Sequence, residues 1–281
     1  MRGHAAYLFL LPAALFLGLF ALVPTAQIVW YSLQHYSIFR PGAFAGAANY
    51  LRLAADPVFW STFANSLLMV LVTPVLMVLS LALALLVRDL GRGSKFFRAA
   101  LFLPVVTPVV IAGIVWRWIF AEDNGLVNHL LALAGLPFVP WLTVYPVNLA
   151  AVMIVTLWRG VGYYMMIFLA GLAAIPREVE EAGTIDGAGP LQQAVHILVP
   201  MLRPTLTLVF VVSATAAVRT FTEVYVLIPG APASNKTLVS HLYLQAFERF
   251  DFGAGSAVAV VVLLLTLAFS YVNVRLMEGK R

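Results

Sequence analysis

Six long apolar segments, separated by charged or turn-forming residues, dominate the hydrophobic pattern of the chain. Each is long enough to cross about 30 Å of hydrocarbon as a helix of roughly 20 residues. None has the short alternating pattern of a barrel strand, so the pattern predicts an all-α membrane protein with a six-transmembrane-helix bundle. The predicted spans are Tyr7–Tyr31, Thr62–Val87, Ala99–Phe120, Val147–Ala173, Thr205–Ile228 and Gly253–Val274.

The composition agrees with a membrane protein and excludes several other classes. Of the 281 residues, 62% are hydrophobic and only 10% are charged, whereas soluble domains are about 25% charged. This shortage excludes an ordinary soluble enzyme, and it excludes a nucleic-acid partner despite the net charge of +5. Because cysteine is absent, a disulfide framework, a thiolate nucleophile and cysteine-ligated zinc are excluded too. We predict no metal site, no cofactor and no catalytic residue.

Basic residues are distributed unevenly among the predicted loops. With the N-terminus inside, ten of them lie on the cytoplasmic side and four lie outside, which predicts that both termini are cytoplasmic. The first span is too long for a signal peptide, so we expect one retained domain, residues 1–281. The ten are Arg2, Arg88, Arg92, Lys95, Arg98, Arg177, Arg203, Arg275, Lys280 and Arg281, and the four are Arg40, Arg52, Lys236 and Arg249.

One predicted inner loop, residues 175–204, is acidic where the other inner loops are basic. Its sequence predicts two short helices that meet at Gly187, because Pro176 and Pro190 suit helix starts and the glycine suits a helix end. Glu178, Glu181 and Ile185 would share one helical face, which suits the groove of a partner protein. The alternative is a solvated connection with good helix caps.

The spacing within this loop is specific. Glu181-Ala182-Gly183, then Gly187, Ile197 and Val199-Pro200 resemble the EAA loop of binding-protein-dependent ABC transporter permeases. That pattern is Glu-Ala-Ala, three residues, Gly, nine residues, Ile, one residue and Leu-Pro, and Gly183 and Val199 depart from it by small or apolar exchanges. The resemblance covers the whole chain and is closest to carbohydrate-uptake permeases of the maltose and glycerol-3-phosphate kind. Weaker similarities include Leu8 to Pro12, Asn49-Tyr50, Asn65-Ser66, Trp116 to Phe120, Pro229 to Pro232 and Asp251 to Gly253.

The resemblance implies a permease of a type I ABC importer in a bacterial or archaeal cell membrane. Its partners would be a cytoplasmic ABC ATPase dimer, a second permease of different sequence and an extracytoplasmic solute-binding protein. Residues 34–60 and 231–251 are candidates for the binding-protein surface. The sequence contains no G-x-x-x-x-G-K-[ST] pattern, so we expect ATP hydrolysis in the separate subunit and no enzyme activity here. The implied ATPase-coupling residues are Glu178, Glu181, Ala182, Gly183, Asp186, Gly187, Ile197 and Pro200.

Small and polar residues in the middle of the fourth and fifth spans predict the solute path, because transport sites lie near the bilayer midplane. The same positions correspond to solute contacts in sugar permeases of this kind. We also expect Pro104 and Pro108 to kink the third span around a cavity. The candidate solute-path residues are Asn65, Thr156, Arg159, Gly160, Tyr163, Ser213, Ala217 and Thr220.

Charged residues within the spans leave alternatives open. Arg159 either contacts the solute or pairs with a polar group of the second permease. Arg219 and Glu223 lie four residues apart on one predicted helix, and we expect them to pair. The hydroxyl-bearing residues favour a neutral sugar or oligosaccharide, whereas Arg159 also suits glycerol-3-phosphate or another polyol phosphate. An ion-coupled secondary transporter is the alternative from a different class, with Glu223 as its coupling carboxylate.

Overall fold

The computed structural model describes residues 2–91 and 93–278. Arg92, Lys280 and Arg281, three of the basic residues expected in the cytoplasm, lie outside the described residues. Helices dominate, and the two strands form one hairpin. The helices are α1 (Arg2–Leu17), α2 (Val23–Ser32), α3 (Ala48–Ala54), α4 (Pro57–Met69), α5 (Val72–Arg88), α6 (Gly93–Val106), α7 (Val109–Ile119), α8 (Leu126–Leu133), α9 (Val147–Ala173), α10 (Arg177–Ile185), α11 (Pro190–Gln193), α12 (Val199–Met201), α13 (Arg203–Val218), α14 (Thr222–Leu227), α15 (Leu238–Tyr243) and α16 (Phe252–Glu278).

Four of the six predicted spans are continuous enough to cross a membrane. They are Phe9–Ser32, Pro57–Arg88, Val147–Ala173 and Phe252–Tyr271. A π-helical turn at Gly18–Leu22 joins α1 to α2, and α4 leads almost directly into α5. The first, second, fourth and sixth spans therefore lie close to their predicted positions.

The third predicted span is not one helix. The axes of α6 and α7 meet at 96°, and the break falls between Val106 and Val109. Pro108 explains why the helix breaks here, because proline has no N–H to donate and disfavours helical geometry at the residue before it. Pro104 lies inside α6 and does not end it. The expected kink of the third span is therefore a sharp break at Pro108.

The fifth predicted span ends earlier than expected. Helix α13 stops at Val218, and α14 begins only at Thr222, so the prediction of one helix to Ile228 is wrong. Over its 16 residues α13 is about 24 Å long. The Thr237 hydroxyl donates to the Thr220 carbonyl at 2.7 Å, which satisfies a backbone group that the break exposes.

Helix α9 lies at the centre of the bundle, against α5, α6, α13 and α14. Its inner face is apolar and almost wholly buried. At Gly162 a Cβ atom would lie 1.8 Å from the Leu101 carbonyl oxygen, so α6 and α9 approach through their backbones. The Ser80 hydroxyl of α5 donates to the Val161 carbonyl at 3.0 Å. These contacts hold α5 and α6 against α9, which carries four of the predicted solute-path residues.

The predicted binding-protein surface at residues 34–60 contains an antiparallel hairpin of β1 (Gln34–Ser37) and β2 (Arg40–Phe44), with Gln34 opposite Phe44. The Asn49 amide donates to the Ser32 and Gln34 carbonyls, both at 2.8 Å. An ion pair of 2.9 Å between Arg52 and Asp251 joins α3 to the start of α16. The hairpin is thereby held beside the sixth span.

Candidate transport cavity and coupling surface

A cavity of about 300 Å³ lies among α5, α9, the end of α13 and the start of α14. Seven of the eight predicted solute-path residues line it. This clustering follows from helical periodicity, since positions three or four residues apart share a face. The seven are Thr156, Arg159, Gly160, Tyr163, Ser213, Ala217 and Thr220.

Three hydroxyls in this lining donate to the backbone of their own helices. The distances are 2.9 Å from Thr156 to the Val152 carbonyl, 2.6 Å from Ser213 to the Val209 carbonyl and 3.3 Å from Thr220 to the Ala216 carbonyl. A hydroxyl that donates in this way keeps lone pairs that accept hydrogen bonds. The cavity therefore offers acceptors to a solute that donates. Tyr163, which is 42% exposed, adds an aromatic face.

Arg159 pairs with Glu223 across the cavity. Its Nη1 atom donates to Oε1 of Glu223 at 2.7 Å, and the two side chains are 24% and 15% exposed. The expected pairing of Arg219 with Glu223 is therefore wrong, because the two residues no longer lie one turn apart on one helix. The break after Val218 separates them and turns Glu223 towards α9. Arg159 also finds its partner within its own chain and not on a second permease.

The cavity keeps one further positive charge. Arg219 is exposed and lies in the lining beside the Arg159–Glu223 pair. Since the pair is internally neutral, the three charged lining residues leave a net charge of about +1. This charge bears on the choice between neutral and anionic solutes.

Asn65 lies away from the cavity. It is 2% exposed, and its amide donates to the Ser234 and Lys236 carbonyls, both at 2.9 Å. Its carbonyl oxygen accepts from the Tyr145 hydroxyl at 3.1 Å. The hydrogen bonds of Asn65 therefore fasten the segment before α15 to α4 and leave it no contact with a solute in this cavity.

Several lining residues escaped the sequence analysis. Thr73 on α5 is a polar residue in a strongly apolar helix, which is the one local pattern that could have identified that helix. Phe221 and Thr222 reach the cavity only through the break after α13, which the sequence does not mark. The missed lining residues include Val72, Thr73, Leu76, Phe221 and Thr222.

The acidic loop forms two short helices joined by a turn at Gly187. The Ala188 N–H donates to the Gly183 carbonyl at 2.9 Å, and the Gly187 N–H donates to the Thr184 carbonyl at 3.0 Å. These two bonds form a Schellman motif, in which the residue at the position of Gly187 is left-handed. Its φ of +78° agrees with that geometry. The glycine therefore ends α10 and reverses the chain towards α11.

The two arms of the loop pack at Gly183. A Cβ atom there would lie 2.6 Å from the Cδ1 atom of Ile197, so the glycine lets the arms approach closely. The Gln193 amide donates to the Thr184 hydroxyl at 2.9 Å and to the Ala188 carbonyl at 3.1 Å. Pro200, in α12, is half-buried behind this contact. These predicted coupling residues shape the loop from within.

The remaining predicted coupling residues are exposed. Glu178, Glu181, Ala182, Asp186 and Gly187 all face away from the bundle. Three large apolar side chains beside them are also exposed: Ile185 by 86%, Leu191 by 77% and Val195 by 50%. Acidic and apolar groups mixed on an amphipathic surface suit a partner groove. We define the coupling surface as Glu178, Glu181, Asp186, Ile185, Leu191 and Val195.

Helix α5 connects the acidic loop with the cavity. At its end, Arg88 forms an ion pair with Glu180 of α10. At its start, Val72 and Thr73 line the cavity. The two sites thus share one rigid element of 17 residues.

A family model described as "binding-protein-dependent transport system inner membrane component" matches residues 76–278. The chain belongs to this family. The permease is 36% identical over 276 residues to the probable ABC transporter permease protein YurN of Bacillus subtilis. The alignment covers 96% of this chain and 94% of the relative. It is 30% identical to the trehalose/maltose transport system permease protein MalF of Thermococcus litoralis, covering 100% of this chain and 96% of the relative.

Solved structures show the same fold. The permease matches a chain of a bacterial alginate ABC transporter in complex with alginate pentasaccharide-bound periplasmic protein, with a TM-score of 0.82 and 18% identity over 97% of this chain and 93% of that chain. A chain of the MetNI methionine ABC transporter matches with a TM-score of 0.60 and 15% identity, over 83% and 98% of the two chains. The predicted fold class, that of ABC importer permeases, is confirmed.

Family membership establishes the setting of this permease. It is an inner-membrane component of an ABC importer, and it works with ATPase subunits, a second permease and a periplasmic binding protein. ATPase activity in this family belongs to the separate subunits. The predictions of localisation and partners are thus confirmed.

Proposed function

We propose that this permease forms half of the path for a neutral sugar or oligosaccharide delivered by the binding protein. The observation that carries the proposal is the cavity of about 300 Å³, which combines hydroxyl acceptors, an aromatic face and a self-neutralised ion pair. Relatives of similar length include permeases for sulfoquinovosyl glycerol in Agrobacterium fabrum, at 32% identity, and for arabinooligosaccharides in Bacillus subtilis, at 32% identity. Their names support a carbohydrate.

The cavity chemistry fits a polyhydroxylated ring. Sugar hydroxyls donate to the lone pairs of Ser213, Thr156 and Thr220, and the Tyr163 ring covers the apolar face of the sugar. Gly160 also lines the cavity, and because a Cβ atom there would lie 2.5 Å from Cδ1 of Leu76, the glycine lets α5 approach α9 closely. Directional hydrogen bonds combined with one apolar wall provide specificity without a strong charge.

In the proposed mechanism, residues 175–204 are the coupling loop and both termini are cytoplasmic. The ATPase groove holds the coupling surface, and Glu181 pairs there with a basic residue. When ATP closes the ATPase dimer, α10 moves with it, and the Arg88–Glu180 pair transfers this movement to α5. Because α5 also lines the cavity, access to the solute changes with the nucleotide state.

A polyol phosphate is the second candidate, and Arg219 is the observation that favours it. Its exposed guanidinium in the cavity lining would suit a phosphate. A glycerol-3-phosphate permease of Pectobacterium atrosepticum is 30% identical to this one. The ion-coupled secondary transporter is not retained, because the chain belongs to an ABC importer family and its candidate carboxylate, Glu223, is paired.

The test uses proteoliposomes that contain the permease with its ATPase, second permease and binding protein. We expect ATP-dependent accumulation of neutral sugars, and Arg219→Gln should leave that accumulation unchanged. The same proteoliposomes without ATP give the background level of accumulation. Accumulation of glycerol-3-phosphate alone, abolished by Arg219→Gln, would establish the second candidate and reject the sugar.

A further inference from the structure

A second cavity, of about 210 Å³, lies beside the transport cavity. It is formed by α14, α15 and the π-helical turn that follows α15, at Leu244–Glu248. Phe221 lines both cavities, so the two are neighbours that share one wall. Together the volumes of about 300 and about 210 Å³ fall within the range of small-molecule sites.

Aromatic rings form one wall of this second cavity. Phe221, Tyr225 and Tyr243 pack with ring centroids 5.1–5.4 Å apart. Phe247 stacks on Tyr243, with centroids 5.3 Å apart and planes inclined by 29°. Tyr225 is 48% exposed and Phe247 is 58% exposed. We call these four residues the aromatic cluster. Phe221, Tyr225 and Tyr243 line the second cavity, and Phe247 stacks on Tyr243 without lining it.

A buried polar group lies in the same lining. His241 is 2% exposed, and its Nδ1 atom has no hydrogen-bond partner within the described part of the chain. The other ring nitrogen lies 3.3 Å from the Gln245 amide nitrogen. Burial lowers the pKa of His241, so its imidazole is neutral at neutral pH. Its Nε2 atom also lies 3.9 Å from Oδ2 of Asp56, and because Nδ1 is itself buried, we assign it no contact with a solute.

We propose that this second cavity is an aromatic subsite that binds one ring of an oligosaccharide whose next ring occupies the transport cavity. The inference rests on the proposed sugar function. Aromatic faces cover the apolar face of the ring. Ser240, Lys236 and Glu248 supply polar groups around it. Because Phe221 lines both cavities, the occupant of the second lies next to the transported solute, which favours part of that solute over a side chain of the second permease.

The experiment measures how uptake depends on chain length. Proteoliposomes with the complete transporter receive a labelled mixture of oligosaccharides of one to five rings, and mass spectrometry identifies what accumulates. We expect Tyr225→Ala and Tyr243→Ala to reduce uptake of sugars of two or more rings about three- to tenfold, with single rings unaffected. Tyr225→Phe keeps the ring and should retain the wild-type profile. Phe138→Ala, an exposed aromatic outside both cavities, is the matched control.

The possible outcomes distinguish failure of the subsite from failure of the proposed sugar function. If both alanine variants take up sugars as the wild type does, with the same chain-length profile, the subsite is overturned and the sugar function stands. Loss of the second permease on co-purification of those variants shows that the cluster is a subunit contact and also overturns the subsite. Absence of sugar uptake by the wild type, whatever the chain length, rejects both.

Discussion

The Arg159–Glu223 pair allows the cavity's electrostatics to be measured directly. The two atoms lie 2.7 Å apart, and the side chains are 24% and 15% exposed. A hydrogen bond between charged groups contributes about 1.5–3 kcal/mol net, whereas removing one partner of a fully buried pair costs about 3–5 kcal/mol. Because both side chains keep some exposure, we expect Glu223→Gln or Arg159→Gln to lower the free energy of unfolding by about 2 kcal/mol.

A double-mutant cycle isolates the pair from other effects of each substitution. If the two side chains act mainly on each other, the double variant loses little more stability than either single one, and the interaction energy is about 2 kcal/mol. Reversible unfolding in mixed micelles supplies the free energies. The control is the Arg52–Asp251 pair, whose side chains are 53% and 30% exposed. Its interaction energy should stay below about 1 kcal/mol and fall with salt.

Additive single effects, within about 0.5 kcal/mol, would refute the reasoning, because they would show that the two side chains do not interact. A second cycle with Arg219→Gln and Glu223→Gln makes the test sharper. If that cycle gave the larger interaction energy, Glu223 would belong to Arg219, as the sequence pattern suggests. The continuous helix would then be correct and the break after α13 wrong.

Three further predictions follow from the loop and from His241. Gly187→Ala should cost about 1 kcal/mol through its φ of +78° and weaken co-purification of the ATPase, whereas Gly187→Asn, which tolerates that geometry, should cost less. Arg88→Glu or Glu180→Arg should lower transport per ATP hydrolysed, and the double exchange should restore it, as measured in proteoliposomes. Burial, aided by Arg249 and opposed by Asp56, holds the pKa of His241 below 6.5, so the unfolded chain takes up a proton that the folded chain refuses and stability should fall as the pH drops below that value. The slope of the free energy of unfolding against pH should differ between wild type and His241→Gln below about pH 6.5 and match above it.

Hydropathy predicted the continuous spans well because a span is a property of about 20 residues together. A shift of a few residues at either end, as between Thr62 and the actual start at Pro57, leaves such an average almost unchanged. Pro176, Pro190 and Gly187 likewise predicted which loop forms two short helices with a turn at the glycine. Both patterns are local, and local physics determines both structures.

The broken spans divide into one that the sequence marks and one that it does not. Pro108 marks the break between α6 and α7, although the 96° angle depends on how each half packs. No proline or glycine stands between Val218 and Thr222. There the Thr237 hydroxyl, which is distant in sequence, satisfies the exposed carbonyl of Thr220. A break that depends on such a contact cannot be inferred from hydropathy or propensity.

The break after α13 also determines which side chains meet in the transport cavity. Periodicity alone groups Thr156, Arg159 and Tyr163 on one face of α9, and the structure places them in one cavity. The partner of Arg159 is different, because Glu223 reaches it only when α13 stops early. A continuous helix would carry Glu223 a turn beyond Arg219 and leave the cavity closed by regular backbone. The position where regular helix geometry fails is thus the position that forms the cavity wall, as expected when local rules are broken for function.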